Sequence, residues 1–177
     1  MTAASFQSTV RTTQGFGVVG ELFSDAPKIV TPTRVNDAGT NIVGYAYTVV
    51  SEGLVRVGGA QSAFFAGILV NPKEYALRGD GVNPLNPSLE IAPLTECQFL
   101  QMGEIIIQVG AAAAIGDDVV YDLTTGALST VARGTAYDDE TKGWTYGTIT
   151  RFTQGVAGTA LAVAMFTFPT QLPAPDA

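Results

Sequence analysis

Residues 102–128, MGEIIIQVGAAAAIGDDVVYDLTTGAL, constrain the fold more than any other stretch of the chain. Residues 104–109 form a short run rich in β-branched side chains, residues 115–122 predict a second strand, and residues 127–131 a third. Between the last two, Asp122-Leu123-Thr124-Thr125-Gly126 spells a tight reversal. An aspartate at its start can accept hydrogen bonds from the amides of Thr124 and Thr125, and Gly126 supplies the positive φ that closes a short hairpin loop. Every part of the stretch builds β-structure and none of it carries chemistry.

The same texture runs through the chain. Residues 43–50 (VGYAYTVV) alternate Val43, Tyr45, Tyr47 and Val49 against smaller neighbours, which predicts a strand with one bulky face. Residues 54–57 follow a Glu52-Gly53 turn, and Gly58-Gly59 turns the chain again. Residues 64–70 (FFAGILV) are a core strand stopped by Asn71-Pro72. Residues 144–152 alternate again, and residues 160–168 set alanines on one face, which lets a second layer approach closely. Residues 15–21 read as a glycine-bounded strand, residues 25–32 with two prolines as irregular, and residues 73–77 as one helical turn. Residues 78–93, with three prolines, read as a long surface loop. About nine short strands and no three-turn amphipathic helix predict an all-β fold, a jelly roll or a β-barrel or sandwich. The expected organisation is an extended N-terminal arm over 1–14, a single β domain over 15–168 and a flexible tail over 169–177.

Composition narrows the function. Charged residues make up only 14% of the 177, well below the roughly 25% usual for soluble domains, which suggests that another chain covers part of the surface. The nine Lys and Arg residues are scattered through a chain of net charge −7, so no basic stripe is available for nucleic acid. No apolar run reaches the length of a membrane span, and the N-terminus has no basic start followed by an apolar core, so neither membrane insertion nor export is expected. Acid is concentrated: residues 104–140 hold seven carboxylates against Arg133 alone, while residues 1–35 hold three cations against two acids. The expected arrangement sets the near-neutral N-terminal part against a partner and the acidic part toward water.

The chain has no histidine and one cysteine. A thiol nucleophile at Cys97 would lack its usual base, so Cys97 reads as a small buried apolar residue. Asp117, Asp118 and Asp122, or Asp138-Asp139-Glu140, could supply oxygens to a cation, but neither set has EF-hand spacing, and both read as solvated acids. Gly15, Gly17 and Gly20 satisfy GxGxxG, yet Asp25-Ala26-Pro27 breaks any helix that would receive a pyrophosphate. Tyr45, Tyr47, Trp144 and Tyr146 could stack on sugars, although at strand spacing they read first as packing. No cofactor is expected.

Three segments, residues 14–21 (QGFGVVGE), 65–77 (FAGILVNPKEYAL) and 102–128 with its GD-VVYD-TTGAL pattern, together resemble the phage structural cement proteins, small capsid-decorating proteins of tailed bacteriophages. The resemblance implies an all-β protein on the outside of an icosahedral head, bridging neighbouring major capsid protein subunits, with no catalytic residues. It implies a virion location after assembly in the bacterial host cytoplasm. Self-association is expected as well, as trimers at local three-folds or alternatively dimers at two-folds. The residues expected to contact the partner are Phe6 and Val10, apolar anchors in the arm, and the cation Arg11. The alternative is a carbohydrate-binding or adhesive β-module of a virion.

Overall fold

The computed structural model describes residues 17–36, 41–60, 63–72, 90–110, 113–135, 140–156 and 159–167. The arm, the tail and the expected turn of helix at 73–77 lie outside them. Among the described residues there are eleven strands and no helix. They are β1 (Ile29–Val35), β2 (Asn41–Ile42), β3 (Ala46–Ser51), β4 (Leu54–Val57), β5 (Phe65–Leu69), β6 (Glu90–Ile91), β7 (Glu96–Val109), β8 (Asp118–Asp122), β9 (Leu128–Val131), β10 (Lys142–Val156) and β11 (Thr159–Phe166).

Nine of these form one sheet in the order β1-β4-β3-β5-β7-β11-β10-β8-β9, and β1 also pairs with β7. That extra pairing closes β1, β4, β3, β5 and β7 into a five-stranded barrel. The other strands continue from β7 as an open sheet. Of the expected all-β architectures, the barrel is therefore the one present. β7 belongs to both parts: residues 96–102 pair with β1, Leu100 and Phe99 pair with β5, and residues 103–109 pair with β11.

A bulge in β7 makes this sharing possible. Opposite Ile29 and Val30 the register of β7 skips from Met102 to Leu100, so Gln101 is an extra residue. Because side chains alternate with period two, one extra residue exchanges the faces. Before the bulge, Cys97 and Phe99 enter the barrel lumen with Val35, Tyr47, Val55 and Leu69. Leu100 points the other way, and after the bulge Ile105, Ile107 and Val109 join it in a second core, with Tyr121, Ile149, Ala162, Ala164 and Phe166. The alanines of β11 thus line a layer contact, as their spacing predicts. Two glycines make room for rings in that layer. A Cβ at Gly143 would strike the ring of Tyr121, its cross-strand partner, and one at Gly147 would strike Phe166.

Several expectations are corrected. Residues 25–32 are not all irregular, because β1 starts at Ile29 and carries Pro32 within it. Among the described residues the side of β1 away from β7 is unpaired until Arg34 meets Leu54, and an edge of that kind accommodates the proline. The run at 104–109 is only the second half of β7. Ile115 and Gly116 form a turn, so β8 starts at Asp118 and Asp117 precedes it. Residues 17–21 are a turn rather than a strand. Chain there lies along β7 through the Leu22–Ile105 bridge and bonds from Gly20 N to Ile106 O (2.8 Å) and Ile106 N to Glu21 O (2.9 Å). The expected loop at 78–93 ends early, since Glu90–Ile91 pairs with Asn41–Ile42.

Candidate functional site

Among the described residues, the groups that could carry chemistry are taken up by structure, while Asp138 and Asp139 lie outside them. The Asp122 carboxylate accepts from the amides of Thr124 (2.9 Å) and Thr125 (2.7 Å) and from the Thr125 hydroxyl (2.9 Å), as the sequence predicts. These bonds, led by the Thr125 amide, hold its pKa below the usual carboxylate range, and Lys142 adds a smaller pull in the same direction. Asp117 accepts from the Ala114 amide at 2.7 Å, and Asp118 takes a long 3.4 Å bond from the Thr148 hydroxyl. Among the described residues no three of His, Cys, Asp and Glu gather as a metal site would need. Cys97 is buried in the barrel, where desolvation, with Glu96 adding to it, pushes the thiol up to about 11. A thiol with that pKa is almost wholly protonated at neutral pH and is a poor nucleophile.

The aromatic set separates. Tyr47 is sealed in the lumen 5.1 Å from Phe99, and its hydroxyl accepts from the Ile42 amide at 3.0 Å. Burial drives its pKa well upward. Tyr45, Trp144 and Tyr146 are half-buried. The four therefore make no shared stacking platform, and the glycan reading loses Tyr47. Tyr146 is held at φ 58° where β10 carries two residues more than β8, and Thr145 inside that bulge donates to Val119 O at 2.6 Å. Gly17 and Gly20 have a packing role, and Gly15 lies outside the described residues. A Cβ at Gly17 would strike Ile106, and one at Gly20 would strike Val43, so close packing explains both.

Two features were not read from the sequence. The first is where barrel and sheet meet. Gly59 N donates to Leu123 O (2.7 Å), Ala46 N to Gly126 O (2.9 Å) and Gly58 N to Ala46 O (2.9 Å). Gly126 sits at φ 72°, and a Cβ there would come within 2.7 Å of Ala46 O and 2.8 Å of Gly58 N. The Gly58-Gly59 and Asp122–Gly126 turns are thus interlocked, backbone to backbone. The paired glycines were the available signal.

The second is an apolar surface on the barrel. Val49 N donates to Phe64 O at 2.8 Å, so the two residues are neighbours across β3 and the start of β5. Phe64 is 62% exposed, Val50 47% and Val49 37%, whereas Val18, Ile29, Leu94 and Ile115 lie on separate segments. The signal was the Val49-Val50 pair, since a strand cannot bury two successive side chains on one face. The arm residues Phe6, Val10 and Arg11 lie outside the described residues.

Residues 6–167 match the family model described as structural cement protein (E217 gp24/Pam3 gp6). No curated protein matches the chain. A chain from the solved structure titled the capsid of Myoviridae phage XM1 shares the fold, with a TM-score of 0.57 and 17% identity over 93% of this chain and 99% of that one. With the family model spanning both the barrel and the sheet, this chain belongs to the phage structural cement proteins and has a structural role at the capsid.

Proposed function

We propose that the protein binds the exterior of an icosahedral phage head and stabilises it by bridging neighbouring major capsid protein subunits, with no catalytic step. The observation that carries this reading is the cement-family match over residues 6–167. The low charge and the exposed apolar neighbours Val49 and Phe64 support it, because such a surface is suited to another protein. In this reading the barrel end bearing Phe64 faces the shell and the acidic region 104–140 faces water. The arm over 1–14 contacts partners through Phe6, Val10 and Arg11, and copies associate as trimers at local three-folds or as dimers at two-folds. Many modest contacts repeated around a closed shell hold it by avidity.

The test adds purified protein to expanded heads that lack it. Bound heads should withstand heat or chelators better than bare ones, and Phe64→Ser should weaken binding about tenfold, the scale of one apolar anchor. Heads that take up no protein would end the proposal.

A further inference from the structure

Among the described residues two that are not glycine have a positive φ, Tyr146 and Leu94. Tyr146 is half-buried in its bulge, whereas Leu94, at φ 59°, is 59% exposed. Leu94 belongs to the turn Ala92-Pro93-Leu94-Thr95 between β6 and β7, closed by a bond from Thr95 N to Ala92 O at 3.3 Å. Proline at the second position and a positive φ at the third are the marks of a type II turn, whose third position ordinarily takes glycine or asparagine. A leucine there is unfavourable twice. Its Cβ crowds the backbone at positive φ, and its apolar side chain stays largely in water, outside both cores.

The turn is fixed in place. Leu94 N donates to Val35 O at 3.0 Å and Val35 N to Thr95 O at 3.1 Å, so β1 holds it through two backbone bonds. Ala92 and Pro93 are exposed as well, which makes a firm tip of three successive apolar residues. Strain of this kind persists where the side chain serves binding rather than folding.

Strand pairing connects this tip to the surface at Phe64. Phe64 bonds to Val49, Val49 pairs with Val55, Val55 pairs with Val35, and Val35 bonds to Thr95, beside Leu94. Each step crosses to the next strand, so the four steps span at most about 20 Å at the usual strand spacing. An interface of ordinary size, about 800 Å² on each side, reaches that far. Residues 29–64, which supply most of the row, hold Arg34 and Arg56 against Asp37 and Glu52 and carry no net charge, unlike the acidic stretch at 104–140.

We infer that the Ala92–Leu94 turn is a second anchor of the shell contact, with Leu94 entering an apolar socket on the major capsid protein surface that meets Phe64. This rests on the proposal that the barrel end bearing Phe64 faces the shell. The strained turn presets the leucine, so little freedom is lost when it docks.

Two variants test it, because strain and contact move apart in them. Leu94→Gly and Leu94→Asn both suit a positive φ and both remove the apolar side chain. Each should weaken binding to expanded heads about tenfold while the melting temperature stays level or rises. A leucine kept for packing would give the opposite pattern, a lower melting temperature with unchanged binding. Normal binding by either variant, or a lower melting temperature in both, overturns the inference. A photoreactive benzophenone side chain at position 94 then locates the partner. On decorated heads, irradiation should join it to the major capsid protein. Adducts to a second copy alone, or no adduct on fully occupied heads, also overturn the inference. In each of these cases the exterior-binding proposal survives, since unmodified protein still binds. If unmodified protein leaves heads bare, both fail.

Discussion

The barrel and the sheet are filled in different ways. Inside the barrel the core is large side chains around a tilted aromatic pair, Tyr47 and Phe99, with Leu69, Val35 and Val55 beside them. Between the barrel wall and the sheet, small residues alternate with large ones: Ala46, Ala162 and Ala164 lie among Ile105, Ile107, Tyr121 and Phe166. Five strands enclose a lumen that must be filled from within, so bulk is needed there. Two packed layers approach each other, so alanines and the glycines under Tyr121 and Phe166 set the spacing. β7 serves both arrangements because its bulge exchanges the faces partway along.

If the two cores are one cooperative unit, damage to either should unfold both. Phe99→Ala in the lumen should cost about 3–5 kcal/mol, the usual range for a buried phenylalanine. The melting curve of the β signal in circular dichroism should shift together with the fluorescence of Trp144, which sits in the sheet. Two separate transitions would break the comparison and make β7 a joint between independent parts. Gly126→Val strikes the interlocked turns, where a positive φ and a backbone collision act together. It should cost about 2–4 kcal/mol in a denaturant titration. A variant as stable as the parent would mean that the turns merely lie side by side.

Asp122 gives a smaller and sharper test. Asp122→Ala removes three hydrogen bonds from the turn and should cost about 1–2 kcal/mol at neutral pH. Its carboxylate is held below the ordinary 3.8 in the folded protein. The charged form therefore stabilises the fold above that ordinary value, and the contribution is lost as pH falls through the lowered folded value. Stability of the parent and of Asp122→Ala should converge below pH 4 and diverge above it. Parallel curves would detach the turn from the carboxylate.

The sequence was legible where structure is local. The Asp122–Gly126 hairpin, the alternation of residues 43–50 and the alanine face of β11 all depend on neighbours a few residues away. What stayed hidden depends on distant partners. β1 holds Pro32, and only its pairing with β7, more than sixty residues on, makes an edge where a proline is tolerated. Residues 96–102 carry a strand whose pattern is interrupted by the bulge at Gln101, so no regular period extends the run at 104–109 upstream. The exposure of Phe64 was masked by its place in a run that otherwise enters the core. The arm residues Phe6, Val10 and Arg11 carry no local signal of what they meet.

The shared strand also fixes a timetable. β1 closes the barrel only by pairing with residues 96–102, and β11 must arrive to cover residues 103–109. During synthesis, the first hundred residues have no closed form to adopt, and the second half of β7 waits some fifty residues more for its neighbour. Folding of this kind, dominated by contacts between distant residues, proceeds on a scale of milliseconds to seconds rather than microseconds. The barrel strands can all meet once residue 102 is made, whereas residues 103–109 stay uncovered until β11 arrives.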